Sequence, residues 1–212
     1  MSRVVPTVTA YDVHEYRRQM ECACRFSGRV HVDIMDGIFA PTRSPAVSQL
    51  WLEKGVSSDI HVMYQHPDKQ IKALLKLHPQ MIIVQAEASR TSVIRAIEGL
   101  KKTKVKVGLG LLPSTQPGEV AELVARVDAV LIFSGHLGYH GGTADLSLLD
   151  KVKEIRSLNP TAEISWDGGI DRTNIRDLVE GGIEVLNTGG AIQKAPDPAA
   201  AFQELQKLAA AK

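Results

Sequence analysis

One feature constrains this chain more than any other: a short β-type run followed by an amphipathic segment, repeated from end to end. The β-type runs are Val4 to Thr9, Arg29 to Ile34, Asp59 to Val62, Met81 to Ala86, Lys104 to Leu111, Ala129 to Phe133, Ala162 to Trp166 and Val185 to Thr188, eight in all. Helix-start signals fall between them: Asp12 with Glu15 in capping-box spacing, Pro67-Asp68, Thr91, Asp145, Thr173 and Asp197-Pro198. In SVIRAIEGL, Val93, Ile94, Ile97 and Leu100 recur at helical spacing. Strictly alternating βα units imply an α/β protein with a parallel sheet, and eight of them point to one closed (β/α)8 barrel. An open, doubly wound sheet is the alternative.

The stretch HVDIMDG, His31 to Gly37, separates the two. Central strands of an open sheet are covered by helices on both faces and read as continuous apolar runs. Here Val32 and Ile34 share one face, while His31, Asp33 and Met35 share the other. In a barrel the outward residues pack under the helices, and inward residues near a strand's C-terminal end reach the mouth where the βα loops build the site. The polar face is therefore expected to be the functional one. DIHVM repeats the pattern with Asp59, His61 and Met63 opposing Ile60 and Val62, and EISWDGG with Glu163, Ser165 and Asp167 opposing Ile164 and Trp166.

Three strands thus deliver His31, Asp33, His61 and Asp167 to one end of one barrel. Two imidazoles and two carboxylates suit a divalent metal such as Zn²⁺, Fe²⁺, Mn²⁺ or Co²⁺. Without a cation they would be hard to satisfy together, since buried like charges raise each other's pKa. Asp36, on the opposite side of the run from Asp33, reads as a loop or capping residue, and His14, His66 and His78 as surface residues.

Glycine forms a second constellation. GYHGGT follows the sixth run, DGGI the seventh and TGGAI the eighth. Late barrel loops commonly bind phosphate, because glycines let backbone N–H groups approach the oxygens. His140, inside the first of these loops, reads equally as a phosphate contact or a solvated loop residue.

The bulk numbers exclude other classes. No Pro-rich, Gly/Ser-rich or single-sign tract divides the 212 residues, so one domain over 1–212 is expected. Lys plus Arg (25) nearly balances Asp plus Glu (24), and the cations are dispersed, leaving no footprint for nucleic acid or a membrane surface. The N-terminal MSRVVPTVTAYD lacks the apolar core of a signal peptide, and no run is long enough to span a bilayer, so a cytoplasmic protein is expected. Cys22 and Cys24, two apart on a helix, face different ways and read as reduced packing residues.

In this order and spacing, HVDIMDGIFAP, DIHVM, VQAEA, VGLGLLPST, DGGI and LNTGGAI resemble the ribulose-phosphate 3-epimerase family over nearly the whole chain. The resemblance implies a (β/α)8 barrel that interconverts ribulose 5-phosphate and xylulose 5-phosphate with a divalent metal and two aspartates. It places the metal ligands at His31, Asp33, His61 and Asp167, and the two proton-transfer residues at Asp33 and Asp167. Thr7 stands at the family's substrate-contacting Ser, Met35 and Met63 match site-lining methionines, and Phe133 replaces a third. The phosphate-binding backbone falls on Gly141, Gly142, Gly169, Gly189 and Gly190. A phosphorylated ketose and a homo-oligomeric state are implied as partners.

Departures lie outside the metal set. GHLGYHGGT replaces the family's NPGFGGQ, MDGIFAPT replaces MDGHFVPN, and Gln85 stands where a His is usual. The substrate shell is altered, which leaves a related sugar such as allulose 6-phosphate as an alternative substrate. Other readings are a non-catalytic sugar-phosphate-binding barrel, which should have lost a ligand or base, and a metal-dependent hydrolase, which the glycine loops fit less well. The decarboxylase branch of phosphate-binding barrels carries D-x-K-x-x-D, and Met35 stands where its lysine would be.

Overall fold

The computed structural model describes residues 2–210, so the expected 1–212 domain extends at Met1, Ala211 and Lys212 outside the described residues. All eight expected strands form: β1 Arg3–Thr9, β2 Arg29–Met35, β3 Ser57–Met63, β4 Met81–Gln85, β5 Lys106–Leu111, β6 Ala129–Phe133, β7 Glu163–Asp167 and β8 Val185–Thr188. Each pairs in parallel with the next, and β8 pairs with β1, closing a single (β/α)8 barrel. The α-helices are α1 Val13–Ala23, α2 Asp68–Leu74, α3 Arg90–Leu100, α4 Ala121–Val124, α5 Asp150–Leu158, α6 Ile175–Glu180, α7 Gly190–Gln193 and α8 Pro198–Ala210. Among the described residues no helix is long and apolar enough to cross a membrane.

Several boundaries differ from the sequence expectation, each for a local reason. Strand β5 starts at Lys106 rather than Lys104 because its ladder with β4 begins at the Met81–Lys106 pair. Ser89 precedes α3, so that helix starts at Arg90 ahead of the Thr91 signal, and Asn174 takes the place expected of Thr173 before α6. Asp145 caps a 3-10 turn, Leu146–Leu149, that runs into α5. The connection after β2 carries only a 3-10 turn, Val47–Gln49, in place of an α-helix. There Asp36 Oδ1 accepts from the backbone N–H groups of Ile38 and Phe39, and Oδ2 from Gln65 N, each at 2.8 Å. Asp36 is the loop organiser that its side of the strand implied.

The alternation of HVDIMDG resolves into two cores. Val30, Val32 and Ile34 face outward and join Ile60, Val62, Ile82, Val84 and the buried faces of the helices, including Tyr16, Met20, Ile97 and Leu100, in one apolar layer. Burying each such aliphatic side chain contributes ~1.5–3 kcal/mol. Inside the barrel the residues sort by height. At the N-terminal end Arg29 Nε donates to Asp59 Oδ2 at 2.7 Å and Arg29 Nη2 to Glu163 Oε1 at 2.6 Å, tying β2, β3 and β7 together. Met81, Ile83, Ala129 and Leu131 form an apolar inner cluster. Strand β5 contributes no side chain where it faces this interior at Gly108 and Gly110. A Cβ there would stand 2.6 Å from Ile83 Cγ1 or from the end of the Gln85 amide. The absent Cβ atoms give Ile83 and Gln85 their room.

Candidate active site

At the strands' C-terminal ends, His31, Asp33, His61 and Asp167 are all buried, and one donor atom from each lies within 4.8 Å of the others. Parallel pairing of β2 with β3 sets Asp33 directly beside His61. Asp33 Oδ1 is 3.0 Å from His61 Nδ1 and 3.3 Å from His31 Nε2, and Asp167 Oδ2 is 3.8 Å from His31 Nε2. The sequence-expected set is brought together.

Two observations test whether these residues fit a divalent cation. Both ring nitrogens of His31 are buried without a hydrogen-bond partner, a costly state for an imidazole unless something else satisfies it. The second concerns His61. The Gln85 amide satisfies its neighbours in one orientation: its oxygen accepts from His61 Nε2 at 3.0 Å, while its nitrogen donates to Gly110 O at 2.8 Å and Glu87 Oε2 at 3.2 Å. His61 therefore carries a proton on Nε2, and in the neutral ring the Nδ1 lone pair faces Asp33 Oδ1. A lone pair against a carboxylate is repulsive unless a cation lies among them or the ring takes a second proton. Burial pushes the pKa of His61 down, which disfavours the second proton. The donor set and this geometry fit a divalent metal, with Gln85 orienting one ligand from behind.

The two aspartates have unlike surroundings. Burial opposes ionisation of Asp33, but hydrogen-bond donation and positive charge from the His31 and His61 rings in their protonated forms outweigh burial and hold its carboxyl well below the usual range. Thr9 Oγ1 also donates to Asp33 Oδ2 at 2.7 Å. Thr9 is itself pinned by Gln19, whose amide accepts from Thr9 N at 3.0 Å and donates to Thr9 O at 2.9 Å. For Asp167, burial and then the Asp33 charge push the pKa up. For His31, burial lowers the pKa, but the neighbouring Asp33 and Asp167 overcome it and leave a net rise.

Above the cluster opens a cavity of about 280 Å³, onto which Asp33 and Asp167 face. Of the other expected residues, Thr7, Met63, Gly141, Gly142, Gly169, Gly189 and Gly190 line it, as do Phe133 and His140. His31 and His61 lie fully buried beneath. Met35 does not line this cavity. It is buried against Met63 and Ala40, with its sulfur 3.1 Å from Thr42 Oγ1, and borders a separate surface groove. The β2 loop folds over it, so the methionine pair divides into one lining and one packing residue.

Glycine is needed where the late loops meet. Gly168 and Gly169 have φ of 112° and 70°, and a Cβ on either would overlap backbone, of Gly135 and of Ala144 respectively. The loop after β6 is fastened at Gly138 O, which accepts from Thr42 Oγ1 at 2.5 Å and from Tyr11 Oη at 3.3 Å. Tyr11 also stands edge-on to His140, with ring centroids 5.7 Å apart.

Sequence reasoning missed Thr9, Asn187 and Lys194, all of which line the cavity. Thr9 was within reach, since it alternates with Thr7 along β1, and Asn187 lies two residues before Gly189 on β8. Nothing in the local pattern marks Lys194, which the turn after α7 carries to the rim.

Comparison with known proteins agrees with this geometry. The family model described as ribulose-phosphate 3-epimerase family matches residues 3–193. The chain is 29% identical over 189 residues to a ribulose-phosphate 3-epimerase of Mycobacterium leprae, covering 86% of this chain and 84% of that one. It is 28% identical over 214 residues to the Helicobacter pylori ribulose-phosphate 3-epimerase, covering 97% of each. Among solved structures, 3-hexulose-6-phosphate synthase from Salmonella typhimurium superposes with a TM-score of 0.71 at 15% identity, over 98% of both chains. Orotidine 5'-monophosphate decarboxylase from Methanocaldococcus jannaschii does so with a TM-score of 0.70 at 16% identity, over 100% of both. These two likenesses show the barrel fold alone.

Proposed function

The chain belongs to the ribulose-phosphate 3-epimerase family, isomerase-class carbohydrate epimerases, and from that premise we propose that it inverts C3 of ribulose 5-phosphate to give xylulose 5-phosphate. The observation that carries this reading is the pair Asp33 and Asp167, which face one cavity from environments that push their proton affinities apart.

Inversion at a carbon next to a carbonyl needs a base on one face and an acid on the other. One aspartate, ionised, takes the C3 proton into its carboxylate and leaves an enediolate on the sugar. The other, protonated, gives its proton to the opposite face of C3, which leaves the first aspartate protonated and the second ionised; a proton exchanged with solvent restores the starting state, and the reverse reaction runs with the two roles exchanged. Such a pair works only if one member is ionised while the other is protonated, and the unlike surroundings of Asp33 and Asp167 supply that difference. His31, Asp33, His61 and Asp167 would hold a divalent cation, which when bound supplies Lewis-acid stabilisation of negative charge on the sugar oxygens.

The remaining residues bind and shield. Backbone at Gly141, Gly142, Gly169, Gly189 and Gly190 would receive the phosphate, and Thr7 a sugar oxygen. Met63 and Phe133 form an apolar wall that limits water around the reacting carbon. A retained acid pair argues against a binding-only protein.

The test is deuterium incorporation from solvent, read by NMR and mass spectrometry, with metal-loaded protein and ribulose 5-phosphate beside an Asp33→Asn control. Deuterium at C3 with xylulose 5-phosphate forming, both lost in the control, is the expected result. No exchange despite a bound metal would refute the pentulose assignment and move the search to allulose 6-phosphate.

A further inference from the structure

Asn187 lies on β8, is 2% exposed, and lines the cavity. Its Oδ1 is buried and has no hydrogen-bond partner. Thr7 Oγ1 is in the same condition, on the strand that pairs with β8 through Val5 and Asn187. Two residues on adjacent strands, each with an unpartnered buried oxygen, therefore line one cavity. A buried polar atom left unpaired costs free energy that an apolar side chain of similar size would avoid, so this pair is best explained by a ligand group that completes it.

The position of Asn187 says which group. It is the ladder partner of Asp167 on β7, and two residues further along its own strand β8 gives way to Gly189 and Gly190. It therefore stands level with and beside the residue whose carboxylate is assigned to C3, two residues below the backbone assigned to the phosphate. An amide offers one acceptor and two donors, which matches a hydroxyl that both donates and accepts. A phosphate would leave Oδ1 facing an anion, and an apolar carbon would leave it unpaired.

We propose that Asn187 is a specificity-determining residue that reads the hydroxyl on the carbon between C3 and the phosphate-bearing end of the ketose, C4 of a pentulose 5-phosphate. This rests on the function proposed above. A site built to hydrogen-bond a hydroxyl rejects the analogue lacking it far more strongly than an apolar pocket rejects an added hydroxyl, because the protein's own polar atoms are then stranded.

The experiment compares kcat/KM for ribulose 5-phosphate and its 4-deoxy analogue, in the metal-loaded wild type and in Asn187→Leu. Stranding the Asn187 amide is worth about 10- to 100-fold in kcat/KM, so the wild type is expected to prefer the hydroxylated substrate by about that factor, and the variant by less than about fivefold. A variant that keeps the wild-type preference overturns the assignment of Asn187. Should Asn187→Leu fail to fold, equal kcat/KM for the two substrates in the wild type overturns it without any variant. Turnover of neither substrate by the wild type overturns the epimerase reading and this inference together, an outcome distinct from loss of the preference alone.

Discussion

Replacing Arg29 with Met tests the ionic floor on which the site stands. The Arg29 side chain is 13% exposed and bridges Asp59, 2% exposed, to Glu163, 27% exposed. Asp59 Oδ1 is already buried without a partner, so Arg29 is the main compensation for that charge. Burial raises the Asp59 pKa and the Arg29 charge opposes it. For Glu163, burial also raises the pKa, but the Arg29 hydrogen bond and charge win. Methionine fills much of the same volume and removes only the cation. Breaking a buried pair by deleting one partner typically costs ~3–5 kcal/mol. For a chain of this length that corresponds to a fall in Tm of about 10 °C.

The sign with pH follows from linkage. In the variant the folded-state pKa of Asp59 lies further above its unfolded value, so the folded state binds more protons and stability falls as pH rises. The deficit should therefore be smallest near pH 5 and largest above pH 7. Adding Asp59→Asn to Arg29→Met should recover most of it. Urea denaturation at pH 5 and pH 8 measures both effects. A variant within about 1 kcal/mol of wild type at pH 8, or a deficit that does not change with pH, would refute the claim that Arg29 compensates a buried anion.

Thr9→Val keeps the side-chain shape but removes the donor to Asp33 Oδ2; a hydrogen bond to a charged group is worth ~1.5–3 kcal/mol, so kcat should fall about 10- to 100-fold with KM little changed. Thr9→Ser should restore it, and steady-state kinetics showing equal kcat for Val and wild type would dismiss the positioning role. Adding Zn²⁺ or Mn²⁺ at about 100 times Kd to chelator-treated protein should stabilise it by about 3 kcal/mol, read as a rise in Tm. His61→Ala should abolish that rise, and a variant that still responds would remove His61 from the ligand set. Lys194→Met, at the cavity rim, should raise KM for the phosphorylated ketose about 3- to 10-fold and weaken competitive inhibition by inorganic phosphate in parallel. Unchanged inhibition by phosphate would place Lys194 away from the anion.

Much of this molecule is legible in its sequence, because the signals involved are local. Strand order follows from eight runs separated by helical segments, and the facing of each side chain follows from the two-residue period of a strand. That is why His31, Asp33, His61 and Asp167 could be placed on the inner face, and why Val32 and Ile34 meet the helices. The glycine loops were legible for a similar reason, since Gly168 and Gly169 mark backbone that no side chain could accompany.

Parity decides which face a residue takes but says nothing about height or neighbours across the barrel. Met35 and Met63 have the same parity and are ladder partners, yet the loop after β2 covers one and leaves the other on the cavity. The Gln85 contact with His61, the Thr9 hydroxyl on Asp33 and the Arg29 bridge to Glu163, 134 residues away, all depend on strand tilt and closure. Local pattern in the chain is enough to specify the barrel, the inner faces of its strands and the residues able to bind a metal or move a proton. Which of them stand within reach of one another is set by barrel closure, because closing eight tilted strands fixes inner-face heights that no local pattern encodes.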